Sequence, residues 1–302
     1  MGDTIAQVQE VCMTAKEFLT KTDGLSVKKL SRDDLHINEK GESEFHATIQ
    51  DSIGLEDEKQ IGKIGALFKN LDSLLKDAIK NFEEKSKTSF RAKYEKLPKQ
   101  SEVNKIFKNV YRISKLIRNA ETHNENSMKC NGNIVEIRYK HLNTDFFLKF
   151  DKDAYFLLEK IIYEFVFLYE NNYSEKYQEL LLGNFYELIK EHFYLSEFKD
   201  DIEHSFFDIK PCPKVNVLRR CACHDLEYSI SEKRLVFNDP SNAIPNSVNV
   251  DKFLGVDIWV NIQGKDYIFP SEILDKNYSI SLDESEKFVM EKYAGWAVRN
   301  YI

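Results

Sequence analysis

The strongest constraint on the fold of this 302-residue chain is a change of hydrophobic period near residue 205. Before that point, apolar residues recur at three- and four-residue intervals, which is the period of a helix packed on one face. Beyond it, prolines cluster and short runs rich in Val, Ile, Tyr and Phe alternate with polar residues, as in strands. The chain is therefore predicted to be an α+β protein, with a mainly helical domain at 1–205 and a smaller β-rich or α+β accessory domain at 206–302.

Helices are predicted over most of the N-terminal domain. The segment 4–20 is amphipathic, whereas the polar segment from Thr20 to Gly54 is broken by glycines and is expected to be irregular, with short elements. Pro98 is expected to end one helix because proline cannot continue a helical hydrogen-bond ladder, and Ser101 is placed to cap the next. The four further helices are predicted at about 56–96, 101–119, 153–170 and 174–195.

A β-hairpin is predicted between these helices, at about 131–150. Its strands are the alternating runs Ile134–Tyr139 and Phe146–Phe150, and Asn143-Thr144-Asp145 is the expected turn. The hairpin would sit beside the end of the helix at 101–119, where it would help to shape a cleft.

The helix at 101–119 carries two stripes of different chemistry. Its apolar stripe consists of Val103, Ile106, Phe107, Val110, Ile113 and Ile117. Its basic stripe, on the opposite side, consists of Lys105, Lys108, Arg112 and Lys115. From Arg91 to Arg118, nine basic residues stand against two acidic ones, a local charge of +7 in a protein of net charge −7. The basic stripe is either a solvated face, which is the usual role of a charge run, or a track for the phosphate backbone of RNA.

At the end of this helix, Arg118 and Asn119 precede His123, with four residues between the arginine and the histidine. These residue types suit metal-free cleavage of RNA, in which the 2′-hydroxyl attacks the neighbouring phosphorus. Histidine titrates closest to neutral pH and can serve as base or acid. A guanidinium stabilises charge on the phosphoryl oxygens, and Asn119 can orient the histidine or bond a phosphate oxygen. The alternative is an arginine on a solvated face and a histidine at a helix end, where a cation favours the dipole.

The pattern Arg-Asn-x3-His, closing a long helix with helices on both sides, resembles the motif of the HEPN superfamily over about residues 55–200. The resemblance implies a helical bundle, here with an inserted hairpin, and a homodimer in which two motifs face one cleft. It also implies a metal-independent endoribonuclease that needs no cofactor, with Arg118, Asn119 and His123 as catalytic residues. Many members act in prokaryotic toxin–antitoxin, antiviral defence or abortive-infection systems, so an antitoxin or another defence protein is an expected partner.

Helix geometry raises a question about this motif. Five positions on an ideal helix rotate by about 140°, so Arg118 and His123 would not share a face. Either the helix breaks near Ala120–Thr122, or the pair is completed across a dimer. One HEPN variant is silenced by modification of a tyrosine two residues after the histidine. That position here is Glu125, so this route of neutralisation is not expected.

The domain at 206–302 is predicted from alternation and turn residues. Gln263-Gly264-Lys265 is expected to be a hairpin turn, and a closing helix is expected from about Asp283 to Asn300. Strands are predicted at 215–218, 226–231, 235–238, 256–262 and 267–269.

Two polar clusters need separate interpretation. Four potential zinc ligands have the spacing C-x8-C-x-C-H, which differs from the paired arrangement of structural zinc sites. They are Cys212, Cys221, Cys223 and His224. Buried structural cysteines are the favoured interpretation, and no metal site is predicted. An acidic cluster upstream is most simply a solvated loop, and consists of Asp200, Asp201, Glu203 and His204.

Composition restricts the compartment and the partners. No apolar run approaches the roughly 20 residues needed to span a membrane, so no membrane contact is expected. Five cysteines, an odd number, without a secretory signal indicate a reducing compartment, and the predicted location is the cytoplasm. Because the net charge is −7, any surface that binds RNA must be local.

Two alternatives to a ribonuclease stay open. The first is a catalytically silent HEPN-like protein that binds nucleic acid or a partner, for which substitution of Arg118 and His123 would cause no loss of activity. The second is a structural interaction protein in which the motif is coincidental. An N-terminal region that is not a helical bundle would favour the second alternative.

Overall fold

The computed structural model describes residues 35–37, 43–45, 68, 89–123, 127–151, 153–170, 173–217, 220–224, 226–240 and 255–290. The predicted helix at 4–20 and most of the one at 56–96 lie outside these residues.

Within the described residues the protein is mixed α+β, which confirms the predicted fold class at this coarse level. The α-helices are α1 (Phe90–Lys96), α2 (Glu102–His123), α3 (Asp153–Glu170), α4 (Glu175–His192) and α5 (Leu282–Ser285). Short 3-10 helices cover Leu195–Glu197, Ser271–Ile273 and Glu286–Phe288. The first strands are β1 (Leu35–Ile37), β2 (Ser43–Phe45), β3 (Met128–Asn131), β4 (Ile134–His141) and β5 (Thr144–Asp151). The later strands are β6 (Arg220–His224), β7 (Tyr228–Ser231), β8 (Arg234–Phe237), β9 (Gly255–Ile262), β10 (Lys265–Pro270) and β11 (Ser279–Ser281).

The chain divides into two compact units that interleave along the sequence. The first unit consists of 1–27, 51–170 and 185–210. The second unit consists of 28–50, 171–184 and 211–302. One boundary falls inside α4, so this helix contributes residues to both units. The sequence analysis predicted two consecutive domains that meet at 205/206. The division into interleaved units does not test that prediction, which stays a prediction.

The ends of the helices follow the predicted local chemistry. The hydroxyl of Ser101 accepts a hydrogen bond from the backbone N–H of Asn104 at 3.2 Å, which confirms it as the cap of α2. Helix α1 ends at Lys96, and Leu97 is extended, as expected for a residue that precedes a proline. Pro98 therefore separates α1 from α2 as predicted.

The predicted hairpin is confirmed as β4 and β5 of an antiparallel sheet with the order β3-β4-β5. Strand β4 contacts α2, and the strands bury alternate residues, as a sheet with one covered face should. The turn prediction was wrong, because Thr144 and Asp145 belong to β5. The turn is Leu142-Asn143, with a left-handed φ of 53° at Leu142, and the sequence analysis also missed β3.

The second unit contains two three-stranded sheets. In one, β9 lies between β10, which is antiparallel, and β6, which is parallel. In the other, β8 lies between β11 and β7, and both pairings are antiparallel. The predicted turn between β9 and β10 is confirmed, because Gln263 and Gly264 both have left-handed φ angles, of 53° and 83°.

Two predictions for this unit were wrong. Residues 215–217 form no strand, and the N–H of Val215 donates instead to the side-chain oxygen of Asn184 at 3.1 Å. The predicted closing helix from Asp283 ends at Phe288, because Val289 forms a β-bridge to Tyr267. Residues 291–302 lie outside the described part of the chain.

A buried ionic network joins β6 to β9. Arg220 is 3% exposed, and its Nη2 lies 2.6 Å from Oδ1 of Asp257, which is fully buried. Nη1 of Arg220 lies 2.8 Å from Oε1 of Glu272, and the hydroxyl of Tyr177 donates to Asp257 at 2.7 Å. Burial alone would lower the pKa of Arg220, but the two carboxylates hold it well above its usual value. The charges are thus compensated inside the unit.

Replacement of Asp257 by Ala is expected to lower the free energy of unfolding by about 3–5 kcal/mol, because it leaves a buried guanidinium short of a partner. The measurement is urea unfolding of the purified variant. The control is Lys287→Ala, which breaks an exposed ion pair with Glu284 at 2.7 Å and should cost about 0–1 kcal/mol. Equal losses in the two variants would contradict the structural role of the network.

Candidate functional site

Helix α2 positions the candidate catalytic residues, and its middle is buried on all sides. Every residue from Lys108 to Ile117 is buried. The apolar stripe is in the core as predicted, with Val103 and Phe107 half-buried and the other four residues fully buried. The opposite side of the helix is covered as well, by the segment 198–210.

Arg112 fixes this segment to the helix. Its Nε and Nη2 each lie 2.7 Å from one oxygen of Asp200, so the ion pair is bidentate. The two side chains are only 5% and 1% exposed. The guanidinium also donates to the backbone oxygens of Ile202 and His204, and it lies 5.2 Å and 4.7 Å from the ring centroids of Phe198 and Phe206.

The neighbouring cations make similar internal contacts. Nζ of Lys115 lies 2.7 Å from Asp201, and Nζ of Lys108 donates to the backbone oxygens of Tyr94 and Leu97. Burial is the main cause that lowers the pKa of Lys108 to about 8. Lys108 is buried and both of these hydrogen bonds go to backbone oxygens of its own chain, so it serves as a structural hydrogen-bond donor.

These contacts correct two predictions. The basic stripe is not an exposed face, because Lys108, Arg112 and Lys115 are buried, while Lys105 is half-buried and pairs with Glu102 at 2.8 Å. The acidic cluster is not simply a solvated loop, since Asp200 and Asp201 pair with Arg112 and Lys115 of the stripe. The two predictions failed because the charges that complement each other are far apart in the sequence. A helical pattern shows which side of the helix is basic, but it does not show which segment covers that side.

Replacement of Arg112 by Met is expected to destabilise the protein by about 3–5 kcal/mol, because Asp200 becomes a buried charge without its cation. The double variant Arg112→Met, Asp200→Leu should recover much of this loss, since it removes both charges at similar volume. Lys190→Ala is the control, because it breaks an exposed ion pair with Glu187 at 2.6 Å and should cost about 0–1 kcal/mol. Urea unfolding gives the free energy of unfolding of all three variants. If Arg112→Met is as stable as wild type, the structural role of the Arg112–Asp200 ion pair is wrong.

The candidate catalytic residues lie in the last two turns of α2. The helix continues through His123, which excludes the first of the two alternatives, a break near Ala120–Thr122. Nη1 of Arg118 donates to Oδ1 of Asn119 at 2.8 Å, and the guanidinium lies 5.5 Å from the ring centroid of Phe68. The structure therefore brings Arg118 and Asn119 together. Helical positions 118 and 123 point about 140° apart, and the side chain of His123 is outside the described residues.

Strand β4 places a tyrosine beside this pair. The ring of Tyr139 stacks on Phe146, its cross-strand partner, with the ring centroids 4.8 Å apart. The hydroxyl of Tyr139 is buried and forms no hydrogen bond of ordinary geometry with any residue that the structure describes. Burial raises its pKa to about 12, and the adjacent Asn119 amide acts in the opposite direction. This tyrosine is consequently neutral at physiological pH.

A carboxylate completes the surroundings of Arg118. Glu121 lies three residues further along α2, so the two positions are neighbours on the helix surface. The hydroxyl of Tyr155, on α3, donates to Oε1 of Glu121 at 2.6 Å. Burial, together with this carboxylate, raises the pKa of Tyr155 well above its usual value. Helix α3 thereby fixes an acidic group near the motif.

The sequence analysis did not single out Tyr139, Glu121 or Tyr155. Strand alternation could have placed Tyr139 on the inner face of the predicted hairpin, on the side that faces α2. No local pattern identifies the contact between Glu121 and Tyr155, because it joins residues 34 positions apart.

The side chains of Cys212, Cys223 and His224 are the described part of the cysteine cluster in the second unit. Cys223 is buried, and Sγ of Cys212 accepts a hydrogen bond from Asn184 at 3.4 Å. Among the residues that the structure describes, no group of three or more His, Cys, Asp or Glu side chains could hold a metal ion. The side chain of Cys221 lies outside them.

Comparison of this chain with protein-family models, curated proteins and solved structures finds no match. None of the described helices is long and apolar enough to cross a membrane.

Proposed function

We propose that this protein is a metal-independent endoribonuclease of HEPN type, with an active site shared by two chains. The observation that carries the proposal is the end of α2, where an unbroken helix reaches His123 and the guanidinium of Arg118 is held by Asn119 at 2.8 Å. A guanidinium with a fixed orientation suits the stabilisation of a phosphoryl group.

The proposed reaction needs a base and an acid. One histidine removes the proton of the 2′-hydroxyl, the 2′-oxygen forms a bond to phosphorus, and the bond from phosphorus to the 5′-oxygen breaks. A second group protonates the leaving 5′-oxygen, which gives a 2′,3′-cyclic phosphate and a 5′-hydroxyl. Arg118 stabilises the charge on the non-bridging oxygens, and Asn119 orients Arg118.

A dimer supplies both histidines. Each motif holds one histidine, and positions 118 and 123 of the same helix face different directions. Because the helix does not break between them, completion of the pair within one chain is disfavoured. Two helices that meet at a two-fold axis would present Arg118 of one chain near His123 of the other, and the two histidines would serve as base and acid.

The biological setting is proposed by analogy with the family. We infer a toxin or an antiphage-defence effector that acts in the cytoplasm, with an antitoxin or another defence protein as its partner. The C-terminal region would then sense a signal, regulate the site or place the RNA.

Cleavage of RNA is expected to survive EDTA and to leave 2′,3′-cyclic phosphate ends, because the substrate supplies its own nucleophile. Arg118→Ala and His123→Ala should each lower the rate by about 10²–10⁴-fold. The control is Arg138→Ala, since Arg138 is exposed on β4 and stacks on Phe147. Equal cleavage of an all-DNA substrate, or a strict requirement for magnesium, would refute the mechanism.

A mixed dimer tests the shared site. A wild-type chain paired with an Arg118→Ala, His123→Ala chain should lose most of its activity, because the cleft then lacks one member of the acid–base pair. Co-expression with two different affinity tags isolates the mixed dimer, and light scattering establishes its mass. Half of the wild-type activity would mean that each chain carries a complete site, which contradicts the proposal.

A catalytically silent protein that binds nucleic acid or a partner is the second candidate. One observation favours it: the guanidinium of Arg118 already contacts Asn119 and the ring of Phe68 within one chain. A stable wild-type protein that binds RNA without cleaving it would support this candidate over the ribonuclease.

A further inference from the structure

We infer that Tyr139 is a positioning residue of the proposed site: when RNA binds, its buried hydroxyl holds the Asn119 amide, which in turn holds the Arg118 guanidinium on the phosphate. This inference rests on the proposed function and adds a residue from the hairpin to the helical motif.

The buried hydroxyl is the first observation behind the inference. Tyr139 is 8% exposed, and its hydroxyl is closed to solvent without a hydrogen bond of ordinary geometry to any described residue. Such a group is unfavourable, and native structures rarely keep one without a reason. Since the hydroxyl is closed to solvent, it cannot contact RNA directly, and any role must pass through a neighbouring side chain.

Asn119 is the neighbour that can transmit this effect. Its side-chain oxygen accepts from Nη1 of Arg118 at 2.8 Å. An amide that uses its oxygen in this way has an N–H₂ group for other partners, and the oxygen of Tyr139 can accept from it. The amide lies close enough to the hydroxyl to affect its pKa. A small rotation of Asn119 would therefore connect the tyrosine, the amide and the guanidinium in one chain of hydrogen bonds.

The ring of Tyr139 is held rigidly enough for this task. It stacks on Phe146 with the ring planes within 8° of parallel. Phe146 also lies near Lys115, whose Nζ is 5.3 Å from the ring centroid and 2.7 Å from Asp201. A positioning group needs such support, because a misplaced catalytic group loses much of its effect. The neutral hydroxyl has a pKa of about 12, which excludes it as the base at neutral pH.

The variant Tyr139→Phe tests the inference because it removes only the hydroxyl and keeps the stacked ring. The melting temperature should stay unchanged or rise, since an unpaired group is removed. The kcat on RNA should fall by about 10–100-fold, the range expected when a charge-stabilising group is misplaced by up to about 1 Å. KM should change little, and the pH profile should keep its shape. The double variant Tyr139→Phe, Asn119→Ala should be no slower than Asn119→Ala alone.

The matched control is Tyr177→Phe, which removes a hydroxyl that donates to Asp257 at 2.7 Å. This variant should melt at a lower temperature and, well below that temperature, cleave at the wild-type rate. The inference thus predicts opposite results for the two variants. Tyr139→Phe should lose activity and keep its stability, whereas Tyr177→Phe should lose stability and keep its activity.

The outcomes separate this inference from the proposed function. If wild type cleaves RNA and Tyr139→Phe cleaves at the same rate, the inference is overturned while the ribonuclease stands. If wild type does not cleave RNA, the proposed ribonuclease function is wrong. The role of Tyr139 is then tested by the binding of a short 2′-O-methyl RNA, measured by fluorescence anisotropy. Weaker binding by Tyr139→Phe at an unchanged melting temperature would support it. Equal binding, or no binding by wild type, would overturn it.

Discussion

The bidentate ion pair between Arg112 and Asp200 is the interaction on which the first unit depends. It allows α2 to be buried on all sides although the helix carries a row of cations. The contacting oxygens and rings belong to the segment 198–210. Lys199 of this segment forms two backbone hydrogen bonds with Phe147 of β5, and the side-chain contacts of Arg112 then fix the segment to the helix. Arg118 and Asn119 lie on the same helix, less than two turns beyond Arg112. The ion pair therefore anchors the helix that carries the candidate site.

Local patterns predicted the elements well, and the reasons are physical. The apolar stripe of α2 has the period of its helix, Ser101 supplies the oxygen that its first turn needs, and Gln263-Gly264 has the residues that a tight hairpin turn prefers. The failures came from contacts between distant residues. Asp200 is 88 positions from Arg112, and Val289 ends the predicted closing helix by pairing with Tyr267.

The candidate site shows the same contrast between local patterns, which the sequence reveals, and contacts between distant residues, which it does not. The resemblance to a known motif singled out Arg118, Asn119 and His123 as candidates, and the structure places the first two in contact. The continuation of the helix to His123 could not be derived from the sequence, because Asn124 and its polar neighbours allow an earlier end equally well. The buried hydroxyl of Tyr139 was also beyond reach, since hydrogen-bond satisfaction depends on three-dimensional neighbours and has no one-dimensional signal.

The path of the chain through α4 has a consequence for how such a protein can evolve. The boundary between the compact units divides Glu175–His192 into segments of ten and eight residues, and helices of that length are marginal in isolation. Recombination at this point would therefore leave each product with a helix segment that is marginal on its own. Exchange of either unit alone between genes is therefore expected to cost stability, and the two units should be inherited, and diverge, as one piece.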